Sequence, residues 1–331
     1  IKISGGMDSG TVTVDGVVDA SAPAGGDGGF IETSAARVSI GEHAAITTLA
    51  PYGKNGTWLI DPTNYAVAVS GGDITGAALG TQLGLGNVTI ETSAAGVQTG
   101  DITVNDGVSW STGNTLALRA HNDVIVNQPL SSTGGGNLTL RADSDGSGTG
   151  TVSFGASGMV SLTGGSAGGR IASLFYNPAS YTSPNDATYN AKISAGTRTY
   201  YMLVNDVNNL QAMSTNLTGV YALGRDIDAS ATSGWNSGQG FVPVGNVTTK
   251  FTGNLDGLGH TITGLYINRP TADYIGLFGY ASNATIRNVD LAGVNVTGRD
   301  KVGALVGLQE ATGGSTVMNS SSSGSVSGLS L

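Results

Sequence analysis

The sequence contains no cysteine, and only 11% of its 331 residues are charged. Without cysteine, disulfide scaffolds and Cys-ligated zinc or iron–sulfur sites are excluded. Basic residues are few: 14 Lys and Arg stand against 23 Asp and Glu, a formal net charge of -9, and no basic cluster breaks that field. Nucleic-acid binding is therefore not expected, because phosphate would be repelled. No apolar run approaches the roughly 18–20 residues a membrane helix needs, so no membrane-spanning segment is expected. Scarce charge combined with many β-branched residues also argues against disorder.

What the chain has instead is 54 glycines. Glycine weakens helix and strand interiors, so such an excess is tolerable only where the chain turns often. Here it is interleaved with Val, Ile, Thr, Leu and Ser, residues that suit pleated surfaces and turns. The composition reads as all-β with many short strands. Both ends read as cut: Ile1-Lys2-Ile3-Ser4 starts inside a strand-like run, and nothing after Ser327 resembles a terminating signal. The expectation is a piece of a longer chain.

Short alternating runs begin at Asn87, Asp101, Asn114, Asp123, Asn137 and Thr151, most of them opened by Asn or Asp. From Val88 the apolar positions step to Ile102, Leu116, Ile125, Leu138 and Val152, with turn residues such as Thr99-Gly100 and Thr112-Gly113 between them. Strands this short, with turn chemistry recurring at similar positions, favour stacked coils over a sandwich. The expected fold is a parallel β-helix. At roughly 20 residues per coil the chain would give about 16 coils, on the order of 75 Å of stiff rod.

The rhythm breaks near the middle. Tyr176, Tyr181, Pro178 and Pro184 crowd together, and then Val207, Leu210 and Met213 fall at helical spacing, with Asn205 or Asp206 able to cap. The expected organisation is a β-helix over residues 1–175, an irregular segment with a short helix over 176–215, and a second β-helix over 216–331. In that last part, two apolar–glycine blocks at Gly276 and Gly303 lie 27 residues apart.

Gly28-Gly29-Phe30-Ile31-Glu32-Thr33-Ser34 and Gly56-Thr57-Trp58-Leu59-Ile60-Asp61-Pro62 resemble segments of the filamentous-haemagglutinin-like exoproteins of two-partner secretion, which are bacterial surface adhesins. Leu255-Asp256-Gly257-Leu258-Gly259-His260-Thr261-Ile262, followed by Gly276-Leu277-Phe278-Gly279 and Gly303-Ala304-Leu305-Val306-Gly307, resembles the GLUG-motif repeats of secreted bacterial proteins. The resemblance implies a right-handed parallel β-helix, secreted to the bacterial surface and exported by an outer-membrane partner transporter. It lends no catalytic residue.

Chemistry elsewhere is sparse. Gly164-Gly165-Ser166-Ala167-Gly168 matches a nucleophile elbow, but no helical pattern follows it. His43, His121 and His260 show no metal-ligand spacing, and no cofactor is called for. Asp143-Ser144-Asp145-Gly146 is similar to the start of a calcium loop, but Phe154 stands where the twelfth-position Glu belongs. Arg225, Asp226, Asp228 and Asp256 are the residues a polysaccharide lyase or hydrolase would use.

The leading expectation is a non-enzymatic adhesin. Trp58, Trp110, Trp235 and Tyr274 are candidates for stacking on a host or matrix glycan. Asn55, Asn87, Asn137, Asn216, Asn246, Asn283, Asn295 and Asn319 open Asn-x-Ser/Thr sequons and are candidates for glycosylation. The alternatives are a carbohydrate-active β-helix enzyme and a ligand-free structural spacer.

Overall fold

A computed structural model describes residues 1–94, 98–165, 169–310 and 314–329. The chain divides into two compact units. The first comprises Ile1–Ser144, Thr149–Asn177 and Asn185–Tyr200; the second comprises Asp145–Gly148, Pro178–Pro184 and Tyr201–Leu331. Each is a stack of parallel coils, the parallel β-helix that the short strands call for.

In the first unit, Lys2–Ser4, Phe30–Ser34, Thr57–Asp61, Asn87–Glu91, Leu116–Arg119, Leu138–Arg141 and Ile171–Tyr176 pair in that order, all parallel. A second face is built by Tyr65–Val67, Ile102–Val104, Val124–Val126 and Val152–Phe154. A third is built by Val108–Trp110, Leu130–Ser132, Val160–Leu162 and Ile193–Ser194. Because side chains alternate across a strand, one phase points to the interior on every coil. Ile31, Trp58, Val88, Leu116, Leu138 and Ala172 are successive register partners, none more than 1% exposed. They form a dry apolar column, and the other phase faces outward.

Coils are longer than expected. Leu116 and Leu138 are partners 22 positions apart, but Leu138 and Ala172 are separated by 34. The main ladder therefore has seven strands in the first unit rather than one every 20 residues. The extra length sits in excursions between faces. One of these is a helix, α1 (Gly76–Leu85), which the sequence reading missed. Thr75 caps it, accepting from the Ala78 amide at 3.1 Å, and Leu79 and Leu83 are buried. The side chain of Gln82 donates to the Ala44 carbonyl and accepts from the Ile46 amide, so it continues the ladder where a strand would otherwise lie. A Cβ at Gly80 would fall 2.2 Å from the Ser109 carbonyl oxygen, so glycine is what lets α1 lie against the third face.

The Asn and Asp residues that open strands also have a task. The side-chain oxygens of Asn87 and Asn137 accept from the backbone amides of Thr115 and Ile171, their register neighbours one coil on. Asp101 and Asp123 do the same for Asp123 and Thr151, and in the second unit Asp226 does so for Thr261. These bonds satisfy corner amides that the strands leave unpaired. Near the end of the first unit, α2 (Asp186–Lys192) buries Tyr189, which packs edge-on against Tyr176 and Tyr200 and donates to the Val152 carbonyl.

In the second unit the ladder runs from the C-terminal half of the strand Thr197–Val204 through Val220–Leu223, Asn254–Asp256 and Thr285–Arg287 to Thr316–Met318. The apolar–glycine blocks stack directly: Ile275 bridges Val302, and Phe278–Ala281 pairs Val306–Gln309. Helix α3 (Val207–Ala212) is capped by Asp206, whose carboxylate accepts from the Asn209 amide at 2.7 Å, and buries Val207, Leu210 and Met213. Among the described residues no helix is long and apolar enough to cross a membrane.

Candidate functional site

The four aromatic candidates part company. Trp58 and Trp110 are 1% and 3% exposed, and their indole N–H groups donate to Thr33 Oγ1 and the Asn114 carbonyl, both at 3.0 Å. Both lie at the inward phase of their strands, so stacking of a sugar on either ring is corrected: they are core. Tyr274 is half-buried, lies parallel to Tyr280 at 5.5 Å and carries the Lys301 ammonium 5.2 Å from its ring centre. Its ring is already engaged by this stack. Trp110 borders a smaller cleft beside α1 with its own ring buried, whereas Trp235 lines a cleft and is half-exposed.

That cleft, of about 610 Å³, belongs to the second unit. One wall is the outer side of α3. Because Val207, Leu210 and Met213 point inward, Asn208, Gln211, Ser214 and Thr215 are turned to the cleft. The other wall is the 3-10 segment Ser230–Gly238 with Val242. Gln211 ties the walls together: its Nε2 donates to the Val242 carbonyl and its Oε1 accepts from the Val242 amide, each at 2.9 Å. Trp235 leaves helical geometry at ψ 153°, and Asn236 and Ser237 follow in the left-handed region. Such conformations are costly for side-chain-bearing residues. They are held by Gly240 donating to the Trp235 carbonyl at 3.0 Å and by Asn236 Nδ2 donating to the Gly240 carbonyl at 2.7 Å. The indole then stacks on buried Phe241 with 22° between the planes. No lining residue is titratable. The cleft can stack a ring and exchange hydrogen bonds with an uncharged ligand; it holds no general acid or base. The sequence flagged Trp235 but not Asn208, Gln211, Ser214 or Thr215. The helical spacing of Val207, Leu210 and Met213 carried that information, since it fixes which side of α3 is outward.

The acidic candidates do not form a shared site. Asp226 is exposed and pairs with His260 at 3.2 Å. Its carboxyl is held below the ordinary value first by the Thr261 amide, then by His260 and Arg225. Asp228 accepts from the Ser230 amide. Asp256 is buried and accepts from Arg287, Asn288 and the Leu258 amide. His43 faces Asp15 much as His260 faces Asp226. Asp143 is fully buried at positive φ, accepting from Asn177, rather than lying in a solvated turn. Among the described residues no three His, Asp or Glu side chains could together hold a metal ion. Ser166 of the elbow-like motif lies outside the described residues.

The sequons divide by environment. Asn55 and Asn87 commit their amide nitrogens to Asn114 and to the carbonyls of Asn55 and Gly56, and Asn216 donates to the Tyr181 carbonyl. Asn137 is half-buried and serves as a corner cap. Asn246, Asn283, Asn295 and Asn319 are exposed.

One carboxylate works against the stack. Burial raises the Asp61 carboxyl above its ordinary 3.8, and Glu91 and Glu32 nearby add to this. A raised carboxyl favours the protonated fold, so its contribution to stability is complete below 3.8 and is lost as pH rises through the folded value. Asp61→Asn is therefore expected to raise the urea midpoint at neutral pH, with the advantage closing in acid. An unchanged or lower midpoint at neutral pH would refute the assignment.

Residues 179–324 match the M26 IgA1-specific metallo-endopeptidase N-terminal region. Halomucin from Haloquadratum walsbyi is 43% identical over 129 residues, 37% of this chain and 1% of that protein. A putative Gly-rich membrane protein from Evansella cellulosilytica is 41% identical over 91 residues, 26% of this chain and 10% of that protein. An immunoglobulin A1 protease from Streptococcus sanguinis is 33% identical over 98 residues, 30% of this chain and 5% of that protein. The chain thus spans a tenth or less of each of these relatives. No solved structure matches. These findings overturn one expectation: a chain set apart from enzymes is not what the comparisons describe, because its C-terminal part is similar to a region of a metallo-endopeptidase family.

Proposed function

We propose that this chain is a surface-presented segment of a larger secreted bacterial protein and that it acts in attachment to host or matrix glycans. The observation that supports this best is the outward phase of its strands. Ser109, Ser131, Ser161 and Ser194 are register partners on successive coils and point away from the core. At about 4.8 Å per coil they make a row of hydroxyls, each a weak contact and together a multivalent one. The resemblance to two-partner-secretion exoproteins supports export through an outer-membrane partner transporter, and that to GLUG repeats supports secretion. The exposed sequons at Asn246, Asn283, Asn295 and Asn319 are the positions open to a sugar.

Beads coated with residues 1–331 are expected to be retained on epithelial monolayers or biofilm matrix above albumin-coated beads. Equal retention would refute attachment and leave the spacer reading. A second reading is favoured by the family match over residues 179–324: the segment accompanies a peptidase in a longer protein. Under that reading, the longer protein incubated with immunoglobulin A1 yields cleavage fragments on a gel, and a chelator stops it.

A further inference from the structure

We infer that the cleft at Trp235 is a subsite for an uncharged pyranose unit of a glycan. This rests on the attachment reading for its setting and on three features of the cleft for its chemistry. The first is an aromatic platform that is fixed before any ligand arrives. Trp235 is half-exposed, its ring backed by buried Phe241, and the turn that projects it is closed by two hydrogen bonds to Gly240. An apolar face held in one orientation loses little entropy on binding. The second feature is the polar complement. Asn208 is exposed, on the outer side of α3, and offers an amide that both donates and accepts. Ser214 and Thr215 spend their hydroxyl protons on the Gln211 and Ala212 carbonyls, which leaves their oxygens oriented as acceptors. A ligand with several hydroxyls above an apolar ring face satisfies such a set. The third feature is the lack of any charged lining residue. An acidic sugar would lose solvation there without meeting a cation, so the cleft favours neutral units.

The test uses residues 1–331 and the variants Trp235→Ala, Trp235→Phe and Asn208→Ala, screened against neutral oligosaccharides and their sialylated or uronic counterparts. Tryptophan fluorescence and calorimetry then follow the best neutral ligand. Trp58 and Trp110 are buried, so a ligand-induced fluorescence change is expected to come from Trp235 and to vanish in Trp235→Ala. Affinity is expected to fall about tenfold or more in Trp235→Ala, equivalent to about 1.4 kcal/mol. It falls less in Trp235→Phe, and a smaller loss in Asn208→Ala, an exposed position, shows that the fold need not be disturbed to weaken binding. Binding stays the same between low and high salt. Unchanged affinity in Trp235→Ala, or binding confined to acidic glycans, overturns the inference. Bead retention that persists in Trp235→Ala and resists competition by neutral sugar also overturns it while leaving attachment intact. Sugar binding without bead retention does the reverse.

Discussion

Trp58→Ala is expected to destabilise the first unit by about 3–5 kcal/mol, the range for removing a buried large aromatic. This is among the largest losses a single side chain here can cause. Trp58 is 1% exposed and lies between Ile31 and Val88 in the column. Its indole N–H is the donor to Thr33 Oγ1, and Thr33 is itself fully buried. Truncation therefore opens a cavity and strips a partner from a buried hydroxyl, whose remaining contact with the Leu59 carbonyl is long at 3.4 Å. A β-helix draws its stability from contacts between neighbouring coils, so a void in one rung weakens the interface above and below it. Trp58→Phe keeps most of the apolar area and loses the donor, so it is expected to cost about half as much or less. Urea unfolding followed by circular dichroism measures both. A midpoint unmoved by Trp58→Ala would mean the column is not what holds these coils together.

Most of this column could be read from the sequence. Val88, Leu116 and Leu138 alternate with polar neighbours, and that period fixes a strand with one apolar phase. It does not fix which strand pairs with which. The steps from Val88 to Ile102 to Leu116 run between faces, and only Val88 to Leu116 runs between coils. Helix α1 escaped because Gly76, Gly80 and Gly84 contradict helix propensity. The glycine at 80 is there for close approach, a long-range demand that no local pattern displays. The burial of Trp110 was legible, since it shares the phase of Val108, whereas Trp58 sits in the all-apolar run Trp58-Leu59-Ile60, where phase is ambiguous. In the candidate cleft, the outer side of α3 followed from its inner side. That Trp235 would face it did not, because two left-handed residues after an interrupted 3-10 turn leave no compositional trace.

Gly257→Ala is the second large effect, expected to cost about 3 kcal/mol or more. Gly257 follows the strand Asn254–Asp256 and donates to the Arg287 carbonyl on the next coil at 2.8 Å. A Cβ there would lie 1.9 Å from the Asn288 carbonyl oxygen and 2.6 Å from its carbon. The obstacle is backbone, so no rotamer change relieves it and the two coils must part. Parting would also strain the Asp256 carboxylate, which holds Arg287 Nε at 2.8 Å and Asn288 Nδ2 at 2.9 Å on that same coil. Loss of those contacts would leave a buried charge poorly compensated, although Arg287 keeps partial access to water. Gly259 provides the contrast within one turn. It sits at φ +83° with nothing within 4 Å of an added Cβ. Gly259→Ala should therefore show left-handed strain alone, about 1–2 kcal/mol. If the two variants lowered the urea midpoint equally, the demand at Gly257 would be conformational rather than a matter of coil spacing. A larger loss at Gly257 would make the glycine after Asp256 the residue that lets one coil settle on the next.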